Sequence, residues 1–437
     1  MSGIHIHPHD ILDEGPSAIL ERVGKMRGIR YLLPELNTIF ERNPYPSGIL
    51  PHNPVRRVVY GTGTFHLPLD IRALSPKLYQ ALDPTVSEGH DSLDSLLKAA
   101  TSTPYQVVPW VNVLNGHFEG DIEANGVVDF RGRPIAHWLC PLGRDVVDLW
   151  THILSAIHER YGCTTFLLDR IRYPDWAGER VHPGGIFSCF CRSCCHRMAN
   201  DGLNPDHLRA AMEQITVWLQ ESKYEQAVTH LQSSKLMQAW IRFKQANVTR
   251  LIERLVANVR NRHPSIVCWL DLWPPSYAWL LGQDYTQLTR HSPALKHFPY
   301  HKLGGGADVQ GLIEYFAADV DGQEQAFQAF QQLFGMNYPI TYPQFRTEGF
   351  PIAFVSVENR KARAQSQPGT LLFSGIQMWN VNPAELERAI VAAYISEADD
   401  VLYYCYGWAD EELFETVGAC QDQIASVRQR KPRKTTD

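Results

Sequence analysis

The segment LLDRIRYP, residues 167–174, joins an apolar run to a sharply polar end. Phe166, Leu167 and Leu168 have the character of a buried strand, and Asp169 then falls at its mouth. Hydrolysis of a glycosidic bond needs two carboxyl groups flanking that bond. One protonates the leaving oxygen, and the other attacks or stabilises the oxocarbenium-like centre. Asp169 is the first candidate for such work, and Arg172 nearby can hold a carboxylate or bind a hydroxyl. A structural Asp–Arg pair at a strand end is the plainer alternative. Asp271, in CWLDLWPP, is the first choice for the second carboxyl. Trp273 beside it can raise its pKa by desolvation, as a general acid requires. Glu35, near the end of YLLPELN, stands in reserve. Glu358 ranks lower, because VENRKARA has the pattern of a solvated helix face.

Aromatic and amide residues recur where other apolar runs end. Trp110, Asn112, Tyr300, His301, Gln377, Trp379, Tyr406 and Trp408 make up this set, with His7, His9 and Asn37 nearer the start. Aromatic faces stack on the C–H faces of sugars, while amides and imidazoles bind hydroxyls. With Arg172, Tyr173 and Trp273 they form the expected substrate cradle. The plain alternative is a core aromatic with a satisfied polar tip. HKLGGGAD, residues 301–308, has the look of a flexible turn, and its order does not fit a nucleotide P-loop.

Two clusters raise the question of metal. HIHPHD opens the chain, and an H-x-H pair on a first strand could share one ion, as in metal-dependent hydrolases of the amidohydrolase type. His5 and His7 would then be ligands. That chemistry also wants a Lys or His on later strands and an Asp ending the eighth, and the sequence departs from this pattern. CFCRSCC offers Cys189, Cys191 and Cys194 at C-x-C-x2-C spacing, with Cys195 or His196 beside them. Structural zinc usually draws ligands from two separated pairs, and this run is compact. Buried free thiols are therefore the expectation, with no cofactor, and any metal there would be structural.

These residues need elements to hold them. A short apolar run ending in polar or aromatic residues recurs eight times: Gly3–Asp10, Tyr31–Asn37, Tyr105–Val113, Thr164–Arg172, Ile266–Trp273, Leu295–Lys302, Leu371–Trp379 and Val401–Trp408. Helical patterns lie between them. This rhythm predicts an α/β fold, a (β/α)8 TIM barrel over residues 1–427, whose C-terminal strand ends carry the chemistry. Residues 38–104 are expected to form an elaborated loop over the mouth. Residues 175–263 are expected to form a mostly helical insertion after strand 4, its first helix capped at Asn204–Pro205. Phe350–Ala364 favours a helix, and 428–437 a basic tail.

Composition narrows the class further. The chain of 437 residues is 44% hydrophobic and 20% charged, which excludes a disordered or collagen-like protein. A formal charge of -6 provides no general field for nucleic acid or an anionic membrane. No run approaches the length of a membrane span. Met1–Asp10 has neither a basic nor an apolar leader segment. The nine cysteines, an odd number with four crowded together, do not resemble a secreted disulfide framework. A reduced, cytoplasmic setting is expected, with a small carbohydrate or glycoside as partner and no nucleic acid or membrane.

WLCPLGRDVVDLW, ERYGCTTFLLDRIRYP and FSCFCRSC, spanning roughly 136–195, together resemble the glycoside-hydrolase-like TIM-barrel proteins of many bacterial genomes. In those a "CP" segment precedes a helix, a "D-x-x-R-Y-P" strand end follows, and a Cys-rich loop comes next. IQMWN and YGWA fit in outline. The resemblance implies a barrel and glycosidase-like chemistry. By it, Asp169 takes the place of the family's strand-four carboxylate, with Tyr173 and Pro174 shaping the turn after it. A catalytically silent sugar-binding barrel is the remaining alternative.

Overall fold

A computed structural model of the chain describes residues 2–39, 49–59, 61–176, 183–304, 309–317 and 319–430. Its main sheet is built from β1 (Ser2–Ile6), β2 (Ile29–Pro34), β3 (Gln106–Val107 and Trp110–Asn112), β4 (Thr165–Asp169), β5 (Val267–Leu272), β6 (Ala294–His297), β7 (Leu371–Gln377) and β8 (Asp400–Tyr404). All pair in parallel, and β8 pairs with β1. The break in β3 falls at Val108–Pro109, where proline offers no N–H to a ladder. Its first piece pairs with β2 and its second with β4. A parallel bridge between Glu35 and Trp110 spans the break. The sheet therefore curls round on itself with helices outside it, an α/β architecture of the TIM-barrel kind.

The inside of the sheet follows from strand alternation. Tyr31, Leu33, Val108, Trp110, Leu167, Trp269, Ala294, Phe373 and Leu402 form one buried cluster with residues from every strand but the first. Gly3 is the β1 member of that layer. A Cβ there would come within 2.8–2.9 Å of Leu402, Tyr31 and Leu33. Successive side chains point to opposite faces, so the inward positions two residues further along are again inward. They are His5, Asp169, Asp271, Lys296, Gly375 and Tyr404, with Asn112 following Trp110 and Glu35 following Leu33. Apolar and aromatic residues fill the lower layer, and titratable groups, with Asn112 and Gly375, make up the layer above it. The outward faces of β1 and β8 pack Ile4, Ile6, Val401 and Tyr403 against Ile19, Val23, Leu413 and Phe414 of the surrounding helices.

Several expected boundaries move. β6 stops at His297 and does not reach Lys302, since Pro299 follows and cannot extend a ladder. β8 stops at Tyr404, and Tyr406–Trp408 form a 3-10 turn. Residues 38–104 hold more regular structure than a loop: helices Ile71–Leu74, Pro84–Ser87 and Ser92–Ala100, and a strand Leu78–Gln80 paired antiparallel with Phe118–Gly120. After β4 come helices Arg192–Asn200, Pro205–Gln220, Tyr224–Ser233 and Lys235–Arg262. Asn204 Oδ1 accepts from the backbone N–H of Asp206 and His207 at the start of the second. The long Lys235–Arg262 helix packs on the Val146–Tyr161 helix that precedes β4, as a ring helix of the barrel does. Ala353–Gln365 is helical. The last helix, Glu411–Arg430, runs through the start of the expected tail, whose residues 431–437 lie outside the described ones. Most of the glycine run does too, at residues 305–308. Among the described residues no helix is long and apolar enough to cross a membrane.

Candidate active site

Asp169 ends β4 and is 6% exposed. Three donors converge on its carboxylate. Trp110 Nε1 donates to Oδ2 at 3.2 Å, Arg172 Nη1 to Oδ1 at 3.3 Å, and the backbone N–H of Arg170 to Oδ1 at 2.5 Å. Arg172 is itself buried. It also donates through Nε to Asp175 at 2.8 Å and lies 5.1 Å from the Trp273 ring centroid. A guanidinium sharing two carboxylates and an aromatic face has little freedom left, so it fixes Asp169 rather than reaching for a ligand.

Asp271 lies on the neighbouring strand. Leu168 and Leu270 are register partners, and Asp169 and Asp271 each follow by one residue. Both point inward from strands about 4.8 Å apart. Lys296, the register partner of Asp271 on β6, donates to Asp271 Oδ2 at 2.7 Å. Asp271 Oδ1 has no hydrogen-bond partner among the described residues. Burial pushes the Asp271 carboxyl up to about 7, and the Asp169 charge adds to the rise, while Lys296 and Arg172 oppose it. Lys296 also faces the rings of Phe298, Tyr300 and Tyr404, at 4.9, 5.8 and 5.5 Å. Gly375 makes room for it, since a Cβ there would meet Lys296 Cε at 3.0 Å and the backbone of His297 at 2.8 Å.

Tyr404 is the hub of the aromatic wall. Its ring lies 5.4–5.8 Å from those of His5, His7, Trp110, Tyr300, Trp379 and Trp408. His7 Nε2 is 3.2 Å from the Tyr404 hydroxyl and 3.9 Å from Glu35 Oε2. Asn112 Nδ2 donates to Glu35 Oε1 at 2.8 Å. The structure thus brings together Asp169, Asp271, Glu35, His7, Trp110, Asn112, Arg172, Tyr300, Trp379 and Trp408. His9 stands at the edge of this group, its ring 5.1 Å from that of His7 and its Nε2 3.3 Å from Asp10.

Other expected cradle residues are spent on the scaffold. Asn37 accepts from the backbone N–H of Asn112 and donates to the Gln80 side chain and the Asn112 carbonyl. Gln377 accepts from Lys302 N and donates to the Trp379 carbonyl. Tyr173 is buried, with its hydroxyl accepting from Asn247. Tyr406 faces outward from the barrel, hydrogen-bonded to Glu14 and Arg22. His301 lines a separate cavity with Lys302, Phe350, Glu385 and Arg388. Burial draws its imidazole down to about 4. Trp273 packs against Trp176 and Tyr277. Glu358 is wholly buried, accepting from Ser276 and Lys361, so the expected solvated face is instead a polar contact between helices.

Sequence reading missed Lys296 and Tyr404. The available signal was parity: each sits two residues beyond an inward apolar residue, Ala294 and Leu402.

Among the described residues His5 belongs to no group of three or more ligand atoms close enough to share an ion. His5 is fully buried, its Nδ1 is 3.1 Å from the Tyr403 carbonyl, and burial and the Lys296 charge hold its pKa well below the usual range. Among the described residues the groups with ligand atoms close enough to share an ion are His7–His9–Asp10 and Cys140–Cys189–Cys191–Cys194. Asp10 in the first is already engaged, accepting from the His7 backbone N–H at 2.9 Å.

None of the known protein-family models matches the chain, and no curated protein matches it in sequence. Solved structures do match its fold. The catalytic domain of a β-amylase from Paenibacillus polymyxa superposes with a TM-score of 0.56 at 11% identity, covering 98% of both chains. The PgaB (BpsB) glycoside hydrolase domain from Bordetella bronchiseptica gives 0.52 at 12%, covering 97% of both. A β-galactosidase from Marinomonas ef1 gives 0.52 at 11%, with 98% of this chain matching 60% of that one. At such identities the likeness concerns the backbone, and it shows that this chain has the fold on which those glycoside hydrolases are built.

Proposed function

We propose that the protein is a glycoside hydrolase acting on a small carbohydrate or glycoside, with Asp169 as nucleophile or oxocarbenium stabiliser and Asp271 as general acid. The observation that carries this is the pair of inward carboxyls on adjacent strands, with unlike environments. Asp169 accepts three hydrogen bonds, so its oxygens are presented as acceptors. Asp271 is raised to about 7 by burial and holds its proton into the neutral range, as an acid must. Its unengaged Oδ1 is the atom that would deliver the proton. Glu35, bound by Asn112 beside His7, is the reserve carboxyl. Trp110, Tyr300, Tyr404, Trp379 and Trp408 supply the stacking surface for a sugar ring. Adjacent strands about 4.8 Å apart favour the shorter carboxyl separation of retaining enzymes, about 5–5.5 Å, over the 6.5–9.5 Å of inverting ones.

The test is turnover of small aryl glycosides and disaccharides by wild type, Asp169→Asn and Asp271→Asn. A loss of about three orders of magnitude in kcat for Asp169→Asn, roughly 4 kcal/mol of barrel-held stabilisation, is expected. Full turnover by that variant overturns the assignment. Proton NMR of the first anomer released separates retention from inversion.

A further inference from the structure

Four cysteines gather from the segments that precede and follow β4. One sulfur of each of Cys140, Cys189, Cys191 and Cys194 lies within 4.8 Å of the others, and all four residues are buried. Cys140 Sγ is 3.4 Å from Cys194 Sγ and 3.7 Å from Cys191 Sγ. All are free thiols. Zinc bonds to sulfur of about 2.3 Å at tetrahedral angles require sulfurs about 3.8 Å apart. We propose that these four cysteines bind one zinc ion in a closed, structural site.

The compact run CFCRSCC lacked the second arm that structural zinc sites usually have. Cys140 of WLCP provides it, from the segment leading into the Val146–Tyr161 helix. Four thiolates leave no open position, so the ion would be structural rather than catalytic. The surroundings also suit thiolates. Backbone N–H groups of Val128 and Cys191 point at Cys189 Sγ at 3.4 and 3.3 Å, and that of Leu142 at Cys140 Sγ at 3.3 Å. Such outer contacts orient ligands and spread their charge. The buried Lys244, whose Nζ donates to the Ile186 and Leu280 carbonyls, stands near Cys189 and is a cation when protonated. It would offset part of the net negative charge of a zinc tetrathiolate.

The site has a structural job within reach. Trp138, two residues before Cys140, donates through Nε1 to the Arg172 carbonyl at 3.1 Å. Arg172 in turn holds Asp169. A metal joining Cys140 to residues 189–194 would pin the segment before the Val146–Tyr161 helix to the start of the Arg192–Asn200 helix after β4.

The experiment is metal analysis of the full chain purified without chelator, with zinc release followed on titration by an organomercurial. About one zinc per chain, released as four thiols react, is expected. Cys140→Ser should lose the ion. Cys195→Ser should keep it, because Cys195 Sγ points to the Phe190 carbonyl and stands outside the quartet. Should Cys140→Ser fail to fold, wild type stripped with dipicolinate provides the second reading: its melting temperature should fall and recover on adding zinc alone. Wild type with under about a tenth of an equivalent of zinc, and no melting shift on zinc addition, overturns the proposal. So does iron in place of zinc, or a disulfide among the four.

Discussion

Removing the charge of Lys296 while keeping a hydrogen-bond donor, as in Lys296→Gln, tests the balance that sets Asp271. The carboxyl stands at about 7 because burial outweighs the Lys296 ammonium 2.7 Å away. At an effective dielectric near 20, unit charges about 4 Å apart interact by roughly 4 kcal/mol, equivalent to about three pKa units. Arg172 still opposes the rise, and water entering beside the shorter side chain takes back part of it. An upward move of about one to three units is therefore expected. The assay is kcat/KM against pH on a glycoside with a poor leaving group, where protonation of the leaving oxygen matters most. The basic limb should stand near 7 in wild type and shift to about 8–10 in Lys296→Gln. Lys296→Arg, which keeps the charge, should leave the limb close to its wild-type place. On a dinitrophenyl glycoside, whose leaving group needs little protonation, the limb should fade in all three proteins. A folded Lys296→Gln protein with an unmoved limb refutes the reasoning, because the ammonium would then not be acting on the proposed acid.

Three further outcomes follow from the same contacts. Asp271 has its folded pKa above its unfolded value of 3.8, so the folded state binds the extra proton between about pH 4 and 7; stability is full below that window and is lost as pH rises through it. The unfolding free energy of wild type relative to Asp271→Asn should thus fall by about 1.4 kcal/mol per pH unit, about 4 kcal/mol in all, measured by urea unfolding at a series of pH values. Gly375→Ala drives a Cβ into Lys296 and the His297 backbone and should cost about 1–3 kcal/mol in thermal unfolding, with a loss of turnover as Lys296 is displaced. Arg172→Ala leaves buried Asp169 and Asp175 without their shared partner and should cost about 3–5 kcal/mol in urea unfolding, and Arg172→Lys should recover little, since a single ammonium cannot reproduce the planar fork.

The barrel was legible in the sequence because its strands are short apolar runs with polar ends, and Asp169 and Asp271 were legible because a carboxylate ending such a run is conspicuous. What composition could not convey was phase. Lys296 and Tyr404 belong to the same inward layer as the two carboxyls, yet in LKHFPYHK and VLYYCYGW the eye goes to the later aromatics. The strands in fact end at His297 and Tyr404. Beyond those points alternation no longer governs, so Tyr300 and Trp408 still reach the mouth while His301 and Tyr406 turn away. Counting parity from Ala294 and Leu402 would have found Lys296 and Tyr404, but only once those two residues were known to face inward, and that is fixed by the neighbours across the barrel. The same holds for Cys140. Nothing in WLCP marks it as a ligand; it becomes the fourth sulfur only because the segment leading into the Val146–Tyr161 helix is folded against the loop after β4. Local pattern thus names the residues of a strand end, whereas the partner that gives each one its chemistry comes from a different βα unit: Lys296 for Asp271, Trp110 for Asp169, Asn112 for Glu35.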